Sequence, residues 1–179
     1  MLVIYRLIYL IGRYFKVLPI QTYLAGAMTA CKDNGADWRE KITPLLEVME
    51  VKIQNPVKDE VKKIKPPEGM DYKDYLYKLK ISGKRKELNE VIKRIKKADL
   101  KAVVQSDFII CFWQNNVPTV GTIEELVVAS YFKVPIYVYT KDNISTINEW
   151  FLSFPFKKGE VFQHRSELIG FLKGKYRRE

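Results

Sequence analysis

The sequence predicts an α/β fold, a three-layer sandwich built on a flavodoxin-like, doubly wound parallel sheet of about five strands. Three observations carry this expectation. Short apolar runs alternate with amphipathic segments from Pro19 to the end of the chain, which is the pattern of repeated βαβ units. The chain has 179 residues, enough for one domain with a substantial core. Hydrophobic residues make up 47% and charged residues 29%, a balance that folds rather than remaining disordered.

Taken in order, residues 1–18 form an apolar extension. Met1 to Tyr5 and Leu7 to Ile11 are apolar, and Arg6, Arg13 and Lys16 interrupt the pattern. The uninterrupted runs are too short to span a bilayer, and no cleavage site of the secretory kind follows. An amphipathic helix packed on a neighbouring subunit is the first reading, and a membrane-surface helix the second. A single domain is expected from 19 to 179. Its first strand runs from Pro19 into a turn at Gly26 and Ala27, two small residues where backbone can approach a ligand. A helix opens at Asp37, read as its N-cap, with Ile42, Leu45, Leu46 and Met49 as apolar positions. Val51 to Ile53 forms a second strand closed by Asn55-Pro56. The stretch 57–83 reads as an insertion or lid, with a loop at Pro66 to Gly69 and a tyrosine-rich, helical pattern from Asp71 to Leu79. A helix from Lys84 to Lys97 carries Leu88, Val91, Ile92 and Ile95 on one face. Phe108 to Trp113 is a buried strand, Gln114 to Gly121 a polar loop, Thr122 to Phe132 a helix and Val134 to Tyr139 a strand. A short helix from Thr146, a strand at Val161-Phe162 and a helix from Ser166 complete the chain.

The formal net charge is +10. The lysines are dispersed, with a concentration between Lys58 and Lys97, and a solvated basic surface accounts for them better than nucleic-acid binding does. Neither nucleic acid nor membrane is the expected partner. Cys31 and Cys111 stand far apart with no CxxC, and His164 is the one histidine, so neither a disulfide framework nor a zinc site is indicated. The thiols suit a reducing, cytoplasmic setting. No phosphate-binding P-loop and no G-x-G-x-x-G occurs, and no metal or redox cofactor is expected.

Three stretches carry the candidate chemistry. Tyr23-Leu24-Ala25-Gly26 ends a strand. Asp99-Leu100 leads, eight residues later, to Asp107 before a buried strand. Thr119-Val120-Gly121-Thr122-Ile123-Glu124-Glu125 opens a helix and continues to Ala129. Singly, each reads as ordinary structure: a rim tyrosine, a turn aspartate, a helix start. Together, with Asp37-Trp38-Arg39 and Asn55-Pro56 between them, they resemble the nucleoside 2-deoxyribosyltransferase superfamily, including its 2′-deoxynucleoside 5′-monophosphate N-hydrolase branch. The resemblance covers roughly Ile20 to Leu172 and excludes residues 1–18 and 57–83.

That resemblance implies a set of roles. Glu125 is the nucleophile that meets the positive charge developing at C1′, and its neighbour Glu124 serves as the control. Tyr23 hydrogen-bonds and orients the nucleophile. Asp99 lies at the ribose or base and donates a proton to the leaving base. Gly26, Thr119, Gly121, Thr122 and Asn115 are the candidate substrate-binding residues, the helix start near Gly121-Thr122 offering backbone N–H groups. Thr119 stands where the transferase branch has an aspartate and the monophosphate branch a serine; an uncharged hydroxyl is the better company for a phosphate. Arg39 either reaches an anion or packs the first helix, and Trp113, Gln114 and Asn116 join Asn115 as unranked base contacts. The implied partners are a deoxynucleoside or deoxynucleotide, a free nucleobase, and further copies of the chain in a dimer or larger homo-oligomer. The function expected is N-glycosidic cleavage with transfer to another base or to water. Hydrolysis of 5′-monophosphates alone, and a non-catalytic nucleotide-sensing module, are the alternatives.

Overall fold

The computed structural model describes residues 2–15, 19–28, 30–64, 66–117, 119–154 and 160–176. Residues 16–18, the end of the expected extension, lie outside the described residues. Five parallel strands form one sheet in the order β2-β1-β3-β4-β5. They are β1 (Gln21–Gly26), β2 (Lys52–Gln54), β3 (Phe108–Trp113), β4 (Ile136–Thr140) and β5 (Val161–Phe162). The chain leaves β1 in one direction to reach β2 and then crosses to β3 on its other side. This makes the carboxyl ends of β1 and β3 the switch point, where such sheets leave a crevice.

Alternation along the strands sorts the core onto two faces. Leu24, Phe108, Ile110, Phe112, Tyr137 and Tyr139 face α2 (Ala36–Glu47) and α8 (Arg165–Tyr176). Tyr23, Ala25, Ile109, Cys111, Ile136 and Val138 face the other layer, which includes α5 (Arg85–Gln105) and α6 (Val120–Tyr131). The sheet is thus closed on both sides, as all-parallel sheets require.

Two of the boundaries that differ from the sequence reading have a clear physical cause. The helix expected to end at Lys97 continues to Gln105, because the stripe Val91, Ile95, Asp99, Val103 repeats every fourth residue and stays buried. The α2 cap is Gly35 rather than Asp37: Gly35 is left-handed (φ 68°), and Asp33 accepts hydrogen bonds from the backbone N–H groups of Gly35 and Asp37. A Cβ on Gly35 would overlap the Ala27 carbonyl oxygen. Gly35→Ala is therefore expected to lower stability by about 1–3 kcal/mol, read as a fall in the denaturant midpoint at unchanged slope.

The stretch 57–83, read as an insertion or lid with a helical pattern from Asp71 to Leu79, contains two helices. Helix α3 (Pro56–Lys63) and helix α4 (Tyr72–Ile81) flank the Pro67–Met70 turn. Leu79, Tyr75 and Leu76 pack with Ile64, Leu88, Val91 and Ile95 into a satellite core of their own. The remaining short helix, α7 (Glu149–Leu152), follows a single 3-10 turn at Ile144–Thr146.

Helix α1 (Leu2–Phe15) docks on its own domain through its polar face. Arg6 donates to the carbonyls of Val104 and Ser106, Tyr9 donates to Asp107, and Lys101 sits 4.8 Å from the centre of the Tyr5 ring. Its outward face carries Val3, Ile4, Leu7, Ile8, Leu10 and Ile11, each between 47% and 61% exposed. Among the described residues no helix is long and apolar enough to cross a membrane.

Candidate active site

Period-two alternation puts Tyr23 on the α5/α6 face of β1, where its ring is 1% exposed. Helix α6 starts just beyond β3. Its inward positions, Thr122, Leu126 and Ala129, are buried, and Glu125 lies on the same side one turn after Thr122. The Tyr23 hydroxyl donates a 2.7 Å hydrogen bond to Glu125 Oε1. Two residues 102 positions apart in sequence are therefore joined by the crossing from β1 through the sheet to α6.

Asp99 comes from the third element. It occupies the buried stripe of α5, 6% exposed, at a position where the pattern would otherwise place an aliphatic residue. Burial, followed by the negative charges of Glu125 and Asp99, pushes the Tyr23 phenol well above its ordinary pKa. Tyr23 therefore stays protonated and remains a donor to the carboxylate across the working pH range.

A cavity of about 630 Å³ opens over these groups. Its polar side is formed by Gly26, Asp99, Thr119, Gly121, Thr122 and Glu125. Glu124 also reaches its rim, where it is ion-paired with Lys96 at 2.5 Å. Gly26 closes β1 with φ 156°, and Trp38 and Phe112 crowd the space where a Cβ would sit. The turn after it is held by Arg39, which is fully buried. Its guanidinium donates to the carbonyls of Leu24 (3.1 Å), Gly26 (3.0 Å) and Gly35 (2.8 Å). Burial lowers the Arg39 pKa, while the negative charge available to Tyr23 and to Glu125 opposes that shift. Arg39 is thus a clamp on the strand end rather than an arm reaching for a ligand.

Of the sequence candidates, the structure brings together Tyr23, Asp99, Glu125, Gly26, Thr119, Gly121 and Thr122. Asn115 is not among the lining residues. Its side chain accepts from Trp113 Nε1 and donates to Thr146, and its backbone N–H donates to Asp142. Trp113 stacks on Phe151, with ring centroids 3.8 Å apart. That loop spends its polar groups on holding itself to the next turn. Asp107 accepts from the Gln21 backbone N–H at 2.7 Å and anchors the start of β1. Sequence reasoning missed Met28, Ala30, Tyr72, Ile92, Ile95 and Leu100, which line the apolar side of the cavity. Ile92 and Ile95 had been read only as helix-packing positions, and no local signal pointed Tyr72 toward the site. Among the described residues no group of three or more His, Cys, Asp or Glu side chains is arranged to hold a metal ion.

Neither a protein-family model nor a curated protein matches the chain. Solved structures do. A 2-deoxyribosyltransferase from the psychrotolerant bacterium Bacillus psychrosaccharolyticus superposes with a TM-score of 0.59 at 14% identity, over 83% of this chain and 90% of that one. The chain shares the fold of that 2-deoxyribosyltransferase. A conserved protein from Enterococcus faecalis V583 superposes on it with a TM-score of 0.58 at 15% identity, over 88% of this chain and 99% of that one. A CMP N-glycosidase from Clostridium botulinum aligns more loosely, with a TM-score of 0.46 at 15% identity, over 86% of this chain and 98% of that one. In this chain the deoxyribosyltransferase fold carries a tyrosine and a glutamate in hydrogen-bond contact at the sheet's switch point, with a buried aspartate beside them.

Proposed function

We propose that the protein cleaves the N-glycosidic bond of a 2′-deoxynucleoside or its 5′-monophosphate, with Glu125 as nucleophile. The observation that carries this reading is a cavity lined by both Glu125 and Asp99, with the buried Tyr23 hydroxyl donating to Glu125 from beneath it. In the proposed reaction a Glu125 oxygen attacks C1′, and the C1′–N bond breaks with its electron pair leaving on the base. Asp99 delivers the proton that the leaving nitrogen takes up. The resulting glycosyl ester is then opened at C1′ by a second base or by water, whose proton passes to the Asp99 carboxylate as Glu125 leaves as a carboxylate. The Tyr23 bond to Oε1 sets the rotation of the carboxylate throughout.

Thr119 favours a monophosphate as the substrate. It lies at the N-cap of α6 and lines the cavity, yet its side chain makes no capping hydrogen bond. A hydroxyl beside the first N–H groups of a helix is a combination that receives a phosphate.

The test is chromatographic assay of base release from the common deoxynucleosides and their 5′-monophosphates, with and without a second free base. The wild-type, Glu125→Ala and Glu124→Ala proteins are compared. Release lost in Glu125→Ala but retained in Glu124→Ala supports the reading. No turnover of any substrate moves the assignment to a nucleotide-binding module without catalysis. Tyr23→Phe keeps the buried ring and removes the donor, and is expected to lower kcat about 10- to 100-fold, the worth of a hydrogen bond to a charged group.

The outward face of α1 is assigned to a second copy of the chain. Six half-exposed aliphatic side chains in one stripe form a patch of the kind that marks an interaction site. Sedimentation equilibrium is expected to show a dimer or larger assembly that Leu7→Glu with Ile11→Glu dissociates. A wild-type protein that is monomeric at micromolar concentration would remove this assignment.

A further inference from the structure

The helices of the 57–83 stretch fall outside the sequence resemblance, yet one of their side chains reaches the site. Tyr72, the first residue of α4, lines the cavity, as do the apolar residues Met28, Ala30, Ile92, Ile95 and Leu100. Its position is determined from three directions. Asp71 caps α4 by accepting from the Lys73 backbone N–H at 2.8 Å. Lys73 Nζ donates to the Cys31 carbonyl at 3.0 Å, tying α4 to the loop that carries Met28 and Ala30. Tyr75, Leu76 and Leu79 seat the helix in the satellite core against Val91 and Ile95 of α5. Ile95 belongs both to that core and to the cavity wall, and Asp99 follows it by one turn. The distance from Tyr72 to the candidate proton donor is thereby set by a packed helix pair rather than by a loop.

The chemistry of this wall is distinct from that of the polar side. Its polar side-chain groups are the Tyr72 phenol and the Lys96 ammonium, and the other residues named are aliphatic or thioether. Lys96, the nearby cation, is engaged by Glu124. Such a wall contacts the faces of a flat ring and has little with which to read its edges. Stacking and apolar contact grow with ring area, so a bicyclic base gains more from it than a monocyclic one.

We propose that Tyr72 is a specificity-determining residue that stacks on the leaving base and makes the site select purine over pyrimidine substrates. This rests on the glycosidic-cleavage reading for its kinetic consequence, but the base subsite it describes is measurable without turnover. Stacking on an aromatic side chain supports a preference of about tenfold in kcat/KM.

The experiment measures kcat/KM for purine and pyrimidine substrates, and isothermal titration of free adenine and free cytosine, on wild-type, Tyr72→Phe, Tyr72→Ala and Tyr75→Ala proteins. Tyr75 packs in the same satellite core and does not line the cavity, so it reports loosening of α4 alone. The expected result is a purine preference that Tyr72→Phe keeps and Tyr72→Ala reduces about tenfold, with adenine binding weakened in parallel and Tyr75→Ala having the smaller effect. A wild-type preference for pyrimidines, an unchanged purine-to-pyrimidine ratio in Tyr72→Ala, or an equal loss in Tyr75→Ala overturns the proposal. Tyr72-dependent adenine binding without any base release supports the subsite while removing the glycosidic-cleavage reading. Base release together with adenine binding indifferent to Tyr72 does the reverse.

Discussion

Replacing Glu125 with alanine is expected to lower kcat for base release by at least about a thousandfold, because it removes the atom that forms the covalent bond. KM should change far less, since sugar and base contacts remain. The Glu124→Ala protein supplies the comparison. Glu124 is next in sequence and reaches the same cavity, but its carboxylate is committed to Lys96 at the rim. Its loss should alter substrate affinity without abolishing turnover. Mass spectrometry adds a readout independent of rate. A wild-type protein quenched during turnover should carry the mass of one deoxyribosyl group on the peptide containing Glu125, and Glu125→Ala should carry none. Equal losses in the two variants, or an adduct on a different peptide, would remove Glu125 from the nucleophile's role.

Asp99→Asn is expected to lower kcat/KM for ordinary deoxynucleosides by about 10² to 10⁴, the usual contribution of a positioned acid. Asparagine has nearly the same shape, so the buried stripe of α5 stays filled and the effect reads the proton rather than the packing. Substrate chemistry separates the two. An N7-methylated purine leaves as a neutral base and needs no proton from the protein. Its cleavage should fall by less than about tenfold in the same variant, since the acid's contribution no longer applies. A loss of equal size for both substrates would show that Asp99 positions Tyr23 and Glu125 without acting as an acid. Thermal unfolding of the variant checks that α5 remains seated.

The prominence of Asp99 shows where local reading stops. Its helix was expected to end at Lys97, two residues short of it. The stripe Val91, Ile95, Asp99, Val103 overrides that, because burial of three apolar residues at four-residue spacing carries the helix on. Asn115 errs in the other direction. A polar loop at a strand's carboxyl end is a reasonable place for a base contact, but its amide bonds Trp113 two residues away and Thr146, a partner that only the folded chain brings near. Arg39 was left between two readings, and its burial against three carbonyls decides for the clamp.

By itself the sequence determined the layer architecture, the number of strands and the identity of the residue types at the switch point. Those depend on period-two and period-3.6 patterning and on short motifs, all of which are local. The tertiary structure alone decided that Tyr23 touches Glu125, that Asp99 lines the same cavity as Glu125, and that Tyr72 arrives from a helix outside the shared pattern. Each is a long-range contact, set by strand order and by which helix faces are buried. It also decided that α1 turns its polar face inward and its aliphatic face outward. Helical periodicity gives both faces equally, and only the acceptors at Val104, Ser106 and Asp107 select which one docks.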